Sequence, residues 1–134
     1  MTSVLHALGR LLFQTLAVNI SRTANLTGTG LDVLDYEGTC AAILDCGAAT
    51  AGSSPTLNVT LEESDDNSTW SAVPATAYVE AAEFAQVTTT ASQQIRHFDV
   101  SARKRYLRAI GTLGGSSTPT FPYGVMFAGT KKYQ

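Results

Sequence analysis

Leu57, Val59 and Leu61 alternate with Asn58, Thr60 and Glu62, and this period of two governs most of the chain. Successive side chains of a strand point to opposite faces, so such a run buries one face and wets the other. Tyr123, Val125 and Phe127 repeat the pattern against Gly124, Met126 and Ala128. Ile95 to Val100 reads as a strand with Phe98 and Val100 inward, and Tyr106 to Ile110 as another. Thr39 to Cys46 is apolar at both odd and even positions, which predicts a central strand buried on both faces. Leu31 to Leu34 reads as an edge strand, and Thr69 to Val73 as a return strand ended by Pro74. Turn chemistry separates these runs. Ser64 to Ser68 is a tight polar turn, while Gly47 to Pro55 and Gly111 to Pro119 read as small-residue loops. Ala75 to Ala91 mixes helix-forming Ala and Glu with strand-favouring Val and Thr. Seven or eight short strands at this spacing predict a mostly β protein. Residues 31–134 form a single β-sandwich or jelly-roll-like domain.

Residues 1–30 differ and read as an N-terminal arm. Val4, Leu5, Leu8, Leu11, Leu12 and Leu16 share one helical face, opposite Ser3, Arg10 and Gln14, with Thr2 or Ser3 placed to cap it. Leu16 to Ser21 then alternates as a strand, and Thr23 to Gly30 reads as a flexible connector. The leucine face either packs on the domain's own core or docks on a neighbouring subunit. The second option makes Leu5, Leu8, Leu11 and Leu12 the first candidates for intersubunit contact.

Composition excludes several classes. Hydrophobic residues make up 44% of the 134 and charged residues 15%, the opposite of a disordered chain. A net charge of −2 leaves no global footprint for nucleic acid. No run reaches the ~18–20 apolar residues of a membrane-spanning helix, and Arg10 interrupts the apolar N-terminus, a poor signal peptide. Cys40 and Cys46 stand about 20 Å apart on one strand, beyond the ~7 Å between Cα atoms that a disulfide allows, so they are expected as free buried thiols made in a cytoplasm. His6 and His97 show no metal-site spacing with them. Glu62 to Asn67 lacks the alternate ligands, central Gly and final Glu of a calcium loop. No nucleophile motif or P-loop is present, so the expectation is a protein without catalytic site or cofactor. The densest charge feature is Arg103, Lys104, Arg105 and Arg108. It reads as a solvated strand start that discourages edge aggregation, or as a contact for an acidic partner through Arg103, Arg105 and Arg108.

The hairpin Leu61 to Trp70, the upstream Thr27 to Gly38 and the C-terminal Arg105 to Ile110, followed by a Gly/Ser/Pro loop and an apolar strand, occur in that order over about residues 27–129. Together they resemble the small virion proteins of tailed phages, head decoration (cement) proteins among them. The resemblance implies a β-sandwich on the outside of a capsid, made in the host cytoplasm and placed as a homotrimer that clamps the major capsid protein and stabilises the head. It leaves two alternatives. One is another minor virion role (neck, tail completion or fibre base). The other is a carbohydrate-binding sandwich using Trp70, Tyr78 and Tyr123.

Overall fold

The computed structural model describes residues 11–132. The strands in chain order are β1 (Leu11–Arg22), β2 (Leu26–Thr27), β3 (Leu31–Asp32), β4 (Tyr36–Cys46), β5 (Ala51–Ser64), β6 (Ser71–Ala72), β7 (Ser92–Asp99) and β8 (Tyr106–Lys131). Two 3-10 turns, Ala75–Ala77 and Val100–Ala102, are the helical elements among the described residues.

Strand β8 is the spine. Its first half pairs antiparallel with β5, from Ser64 opposite Tyr106 to Ala51 opposite Thr120. Its second half pairs with β4, from Cys46 opposite Tyr123 to Tyr36 opposite Lys131. Gly47 N donates to Pro122 O at 2.8 Å and Thr50 N to Thr120 O at 2.9 Å, carrying the ladder across the gap between β4 and β5. Along β8's other side, β1 follows residues 121–130, β2 meets Gly111 and Ile110, and β3 meets Leu107 and Tyr106. This three-stranded ribbon is doubled over at its middle, and its halves become two facing layers. The first has the order β1-β8-β4-β7; the second sets β2 and β3, then β8, β5 and β6 side by side. The result is the mostly β, jelly-roll-like sandwich that the alternation predicts.

The fold of the ribbon explains one difference from the sequence reading. Residues 51–55 and 111–119 are not loops but lie within β5 and β8, paired through the corner, while residues 47–50 link β4 to β5 and are held to β8 by the two bonds from Gly47 and Thr50. Gly115 has φ +105°, and a Cβ there would stand 2.7 Å from Ser54 O and 2.8 Å from Ser53 O. Ser54, Ser117 and Thr118 also take positive φ, and the register slips between Ser53 and Thr56. Small turn-forming residues here bend two paired strands together; they do not reverse the chain.

Side chains pointing between the layers form one core. Leu57, Val59, Leu61, Leu107 and Ala109 come from the second layer, and Ala42, Leu44, Phe121, Tyr123, Val125 and Phe127 from the first; all are 0–1% exposed. The layers meet closely at Gly111, where a Cβ would overlap the Tyr123 hydroxyl. Phe127 stands edge-on to Tyr36 with centroids 4.9 Å apart, and Phe98 edge-on to Tyr78 at 6.2 Å.

Residues 11–22 are strand, not helix, so the helical face extended from Val4 to Leu16 does not continue past residue 10. The pairing of β1 along β8 takes up the backbone bonds that a helix would have made internally. The part of that expectation resting on Val4, Leu5 and Leu8 lies outside the described residues. Cys40 and Cys46 are free and buried. Burial pushes the Cys46 thiol up to about 11, which keeps it protonated and inert.

Candidate protein-docking face

The outer face of the first layer is built by the residues that alternate with its core. Thr15, Met126, Ile43 and Ile95 line up as one rung across β1, β8, β4 and β7. Phe13, Ala128, Ala41 and His97 form the next. Phe13 is 56% exposed, Ile95 48% and Met126 40%, while Ile43, Ala41 and Ala128 are half-buried between them. This is a contiguous apolar strip. β4 is central in its sheet as predicted, but it is not buried on both faces as the sequence reading had it. No layer covers its odd-numbered side among the described residues, and Ile43 looks out.

Polar groups close the strip at both ends. At one end Asp45 accepts from Asn19 Nδ2 at 3.3 Å and from Gln93 Nε2 at 3.1 Å. At the other, His97 Nδ1 meets Glu80 Oε2 at 2.6 Å. Beside Met126 the register of β1 shifts twice between Thr15 and Ile20, and the irregularity leaves a hollow of about 270 Å³ lined by Ala17, Val18, Ile43 and Gly124. An apolar centre within a polar rim is the anatomy of a protein-protein contact patch.

The free side of β7 is sealed. Val79 N donates to His97 O at 2.8 Å, and His97 N donates to Glu80 Oε1 at 2.8 Å. The Gln94 side chain mimics a strand by exchanging two bonds with the Ala85 backbone, at 2.7 and 3.0 Å. Arg96 Nε donates to the carbonyls of Ala82 and Glu83. Val87 then pairs with Leu57, so this segment also borders β5 in the other layer. The mixed Ala/Glu/Thr stretch that composition could not assign is this strap.

The strap and the Ser64 to Ser68 turn each carry a pH dependence. The His97 side chain and backbone N–H pull the Glu80 carboxyl down to about 2 from 4.5. The Thr69 backbone N–H, with Ser64 and Ser68, pulls Asp66 down to about 2 from 3.8. A depressed folded pKa contributes stability that is complete above the unfolded value and is lost as pH falls towards the folded one. The melting temperature should therefore fall between about pH 5 and pH 2. Glu80→Gln should melt below wild type at about pH 6 and match it at about pH 2; an unchanged gap at both would count against the tether.

The other candidates are placed as follows. Leu11 is 39% exposed at the start of β1, Leu12 is half-buried against the core, and Leu5 and Leu8 lie outside the described residues. The three arginines each meet an internal carboxylate. Arg103 reaches Glu63 at 2.8 Å, Arg105 reaches Asp32 at 2.8 Å, and Arg108 reaches Glu62 at 2.6 Å while lying over the Trp70 ring at 4.3 Å. Tyr78 and Tyr123 are buried and Trp70 is half-covered, so these three do not form an exposed aromatic platform for sugar stacking. Among the described residues, no three His, Cys, Asp or Glu side chains group as a metal site. Sequence reasoning missed Phe13, Ile43, Ile95 and Met126 as a surface. The available signal was the apolar residues at both parities of residues 39–46.

No family model and no curated protein matches the sequence. Solved structures do share the fold. A chain of the T13 particle of infectious bursal disease virus aligns with TM-score 0.53 and 14% identity, over 91% of this chain and 31% of its own. The PBSX exported protein XepA aligns with TM-score 0.51 and 16% identity, over 92% of this chain and 38% of its own. The SPBc2 prophage-derived protein YomS aligns with TM-score 0.47 and 10% identity, over 88% of this chain and 92% of its own. The chain spans about a third of the first two. At these identities the likeness is one of fold, and that fold occurs in a virus particle and in the exported protein XepA.

Proposed function

We propose that this protein is a structural component of a phage virion, a head decoration protein that binds the outside of the major capsid protein lattice and stabilises the head. The observation that carries the reading is the apolar strip of Phe13, Ile43, Ile95 and Met126 with its polar rim, on a domain whose core is already complete without it. The shared fold supports the same class. Leu11, exposed at the start of β1 on the same side as Phe13, extends the contact surface beyond the strip, and Leu5 and Leu8 are proposed as further contacts of the arm. Each contact is modest, and several copies held together gain by effective concentration.

The test is binding to expanded capsid shells of the source phage. Wild type should co-sediment with the shells and raise their melting temperature. Met126→Asp combined with Ile95→Asp should lose binding at least tenfold while retaining the protein's own melting transition. A wild-type protein that leaves shells unbound at every salt concentration would end the proposal.

A further inference from the structure

The two edges of the first layer are unequal. The β7 edge is closed by the strap from Tyr78 to Val87, whereas β1 pairs with β8 on one side and with no strand on the other among the described residues. Unpaired strand edges are templates for another strand, and natural proteins guard them with charge, proline or coverage. From Leu11 to Ser21 the sequence has no charged residue and no proline. The regular stretch Leu11 to Thr15 precedes the register shifts, and Phe13, 56% exposed, stands at its centre.

We propose that β1 is an interface for a second copy of this chain, pairing edge to edge across a two-fold axis at Phe13. Three observations favour this occupant. An isologous contact must be self-complementary, and an uncharged strand places no like charges opposite each other. With Phe13 opposite its own copy, Leu11 falls opposite Thr15 and Leu12 opposite Gln14. The sealed β7 edge leaves one open edge in this layer among the described residues, so addition stops at two copies and cannot propagate as a fibre. The product is a continuous eight-stranded sheet in which the two apolar strips lie side by side. A two-fold pair differs from the homotrimer that the family resemblance implies. The inference does not depend on the capsid reading, because it is read from the free protein.

The experiment is sedimentation of the full chain, with Phe13→Cys as a register probe. Residues directly opposite in an antiparallel pair have Cα atoms about 4.5–5.5 Å apart, within disulfide range. Wild type should sediment as a dimer, and Phe13→Cys should form a disulfide-linked dimer under mild oxidation. Met126→Cys, on the sheet face two strands from the proposed axis, should not. Phe13→Lys should shift the mass to monomer with its circular dichroism and melting transition retained, because two ammonium groups then oppose each other. A monomeric wild type, a trimer, or a dimer unaffected by Phe13→Lys would overturn the proposal. So would a dimer lost only when residues 1–10 are removed. A wild type that dimerises through Phe13 yet leaves the shells unbound would count against the capsid reading alone.

Discussion

Replacing Phe127 with alanine should lower the unfolding free energy by about 3–5 kcal/mol, the usual cost of emptying a large aromatic site in a packed core. Phe127 is fully buried on β8, with Ala42 opposite it on β4 and Gln14 on β1. It stands edge-on to Tyr36 at an interplanar angle of 85°, and its centroid lies 6.2 Å from that of Phe98, which in turn meets Tyr78. The void would therefore open inside a run of aromatic contacts joining β4, β7 and the strap. Rings held by several neighbours collapse poorly into such a void, which favours the upper part of the range. Met126 is the control. It is the adjacent residue, 40% exposed on the opposite face, and Met126→Ser should change stability by no more than about 1 kcal/mol. Urea unfolding of both variants with an unchanged slope separates the cases. A Phe127→Ala loss below about 1 kcal/mol would mean that the two layers are not packed face to face as described.

That pair of neighbours also shows how far the sequence could be read. Alternation identified the inward side of β5, where polar and apolar residues take turns, and of the second half of β8, where large apolar residues alternate with smaller or flexible ones; in β7 it identified Phe98 alone, since Gln94 and Arg96 share its side and Ile95 faces out. It could not say that residues 111–119 belong to the same strand as 106–110, since glycine, serine and proline at a bend look like glycine, serine and proline at a loop. Only the matching bend in β5, with Ser53 opposite Ser116, distinguishes them. Leucines at Val4-to-Leu16 spacing suit a helix, but Leu11 to Arg22 gains more by lying along β8, a tertiary preference outweighing local periodicity. The docking face was hidden for a related reason. In Thr39 to Cys46, apolar residues at both parities suit a strand covered on two sides. They equally suit a strand with one side in the core and one side left for a partner. Local patterning carries the period and the parity but not what lies opposite.

The same blindness applies to the arginines, and it leads to the second large effect. Arg103 and Arg108 look alike in the sequence, and each meets one of two adjacent glutamates. Glu62 and Arg108 are directly opposite on β5 and β8, with side chains 27% and 21% exposed, a cross-strand surface pair worth roughly 0.2–1 kcal/mol. Glu63 has the opposite parity, that of Leu57, Val59 and Leu61, and points to the core side at the end of the sandwich. Its side chain is 10% exposed and that of Arg103 14%. Arg103→Ala should therefore cost about 3 kcal/mol, because it strands a carboxylate away from water, while Arg108→Ala should cost no more than about 1.5 kcal/mol. Glu63→Leu combined with Arg103→Met should recover most of the Arg103→Ala loss, since replacing a buried pair by apolar groups is commonly neutral. Equal losses for the two alanine variants would show that Glu63 is solvated. Under the proposed docking role, the distinction decides which of these cations an acidic partner surface could recruit. Drawing Arg103 outward would leave Glu63 buried alone, so its charge is committed to the fold. Arg105 and Arg108, whose carboxylate partners can each turn to water, are the members of that set able to change partners on docking.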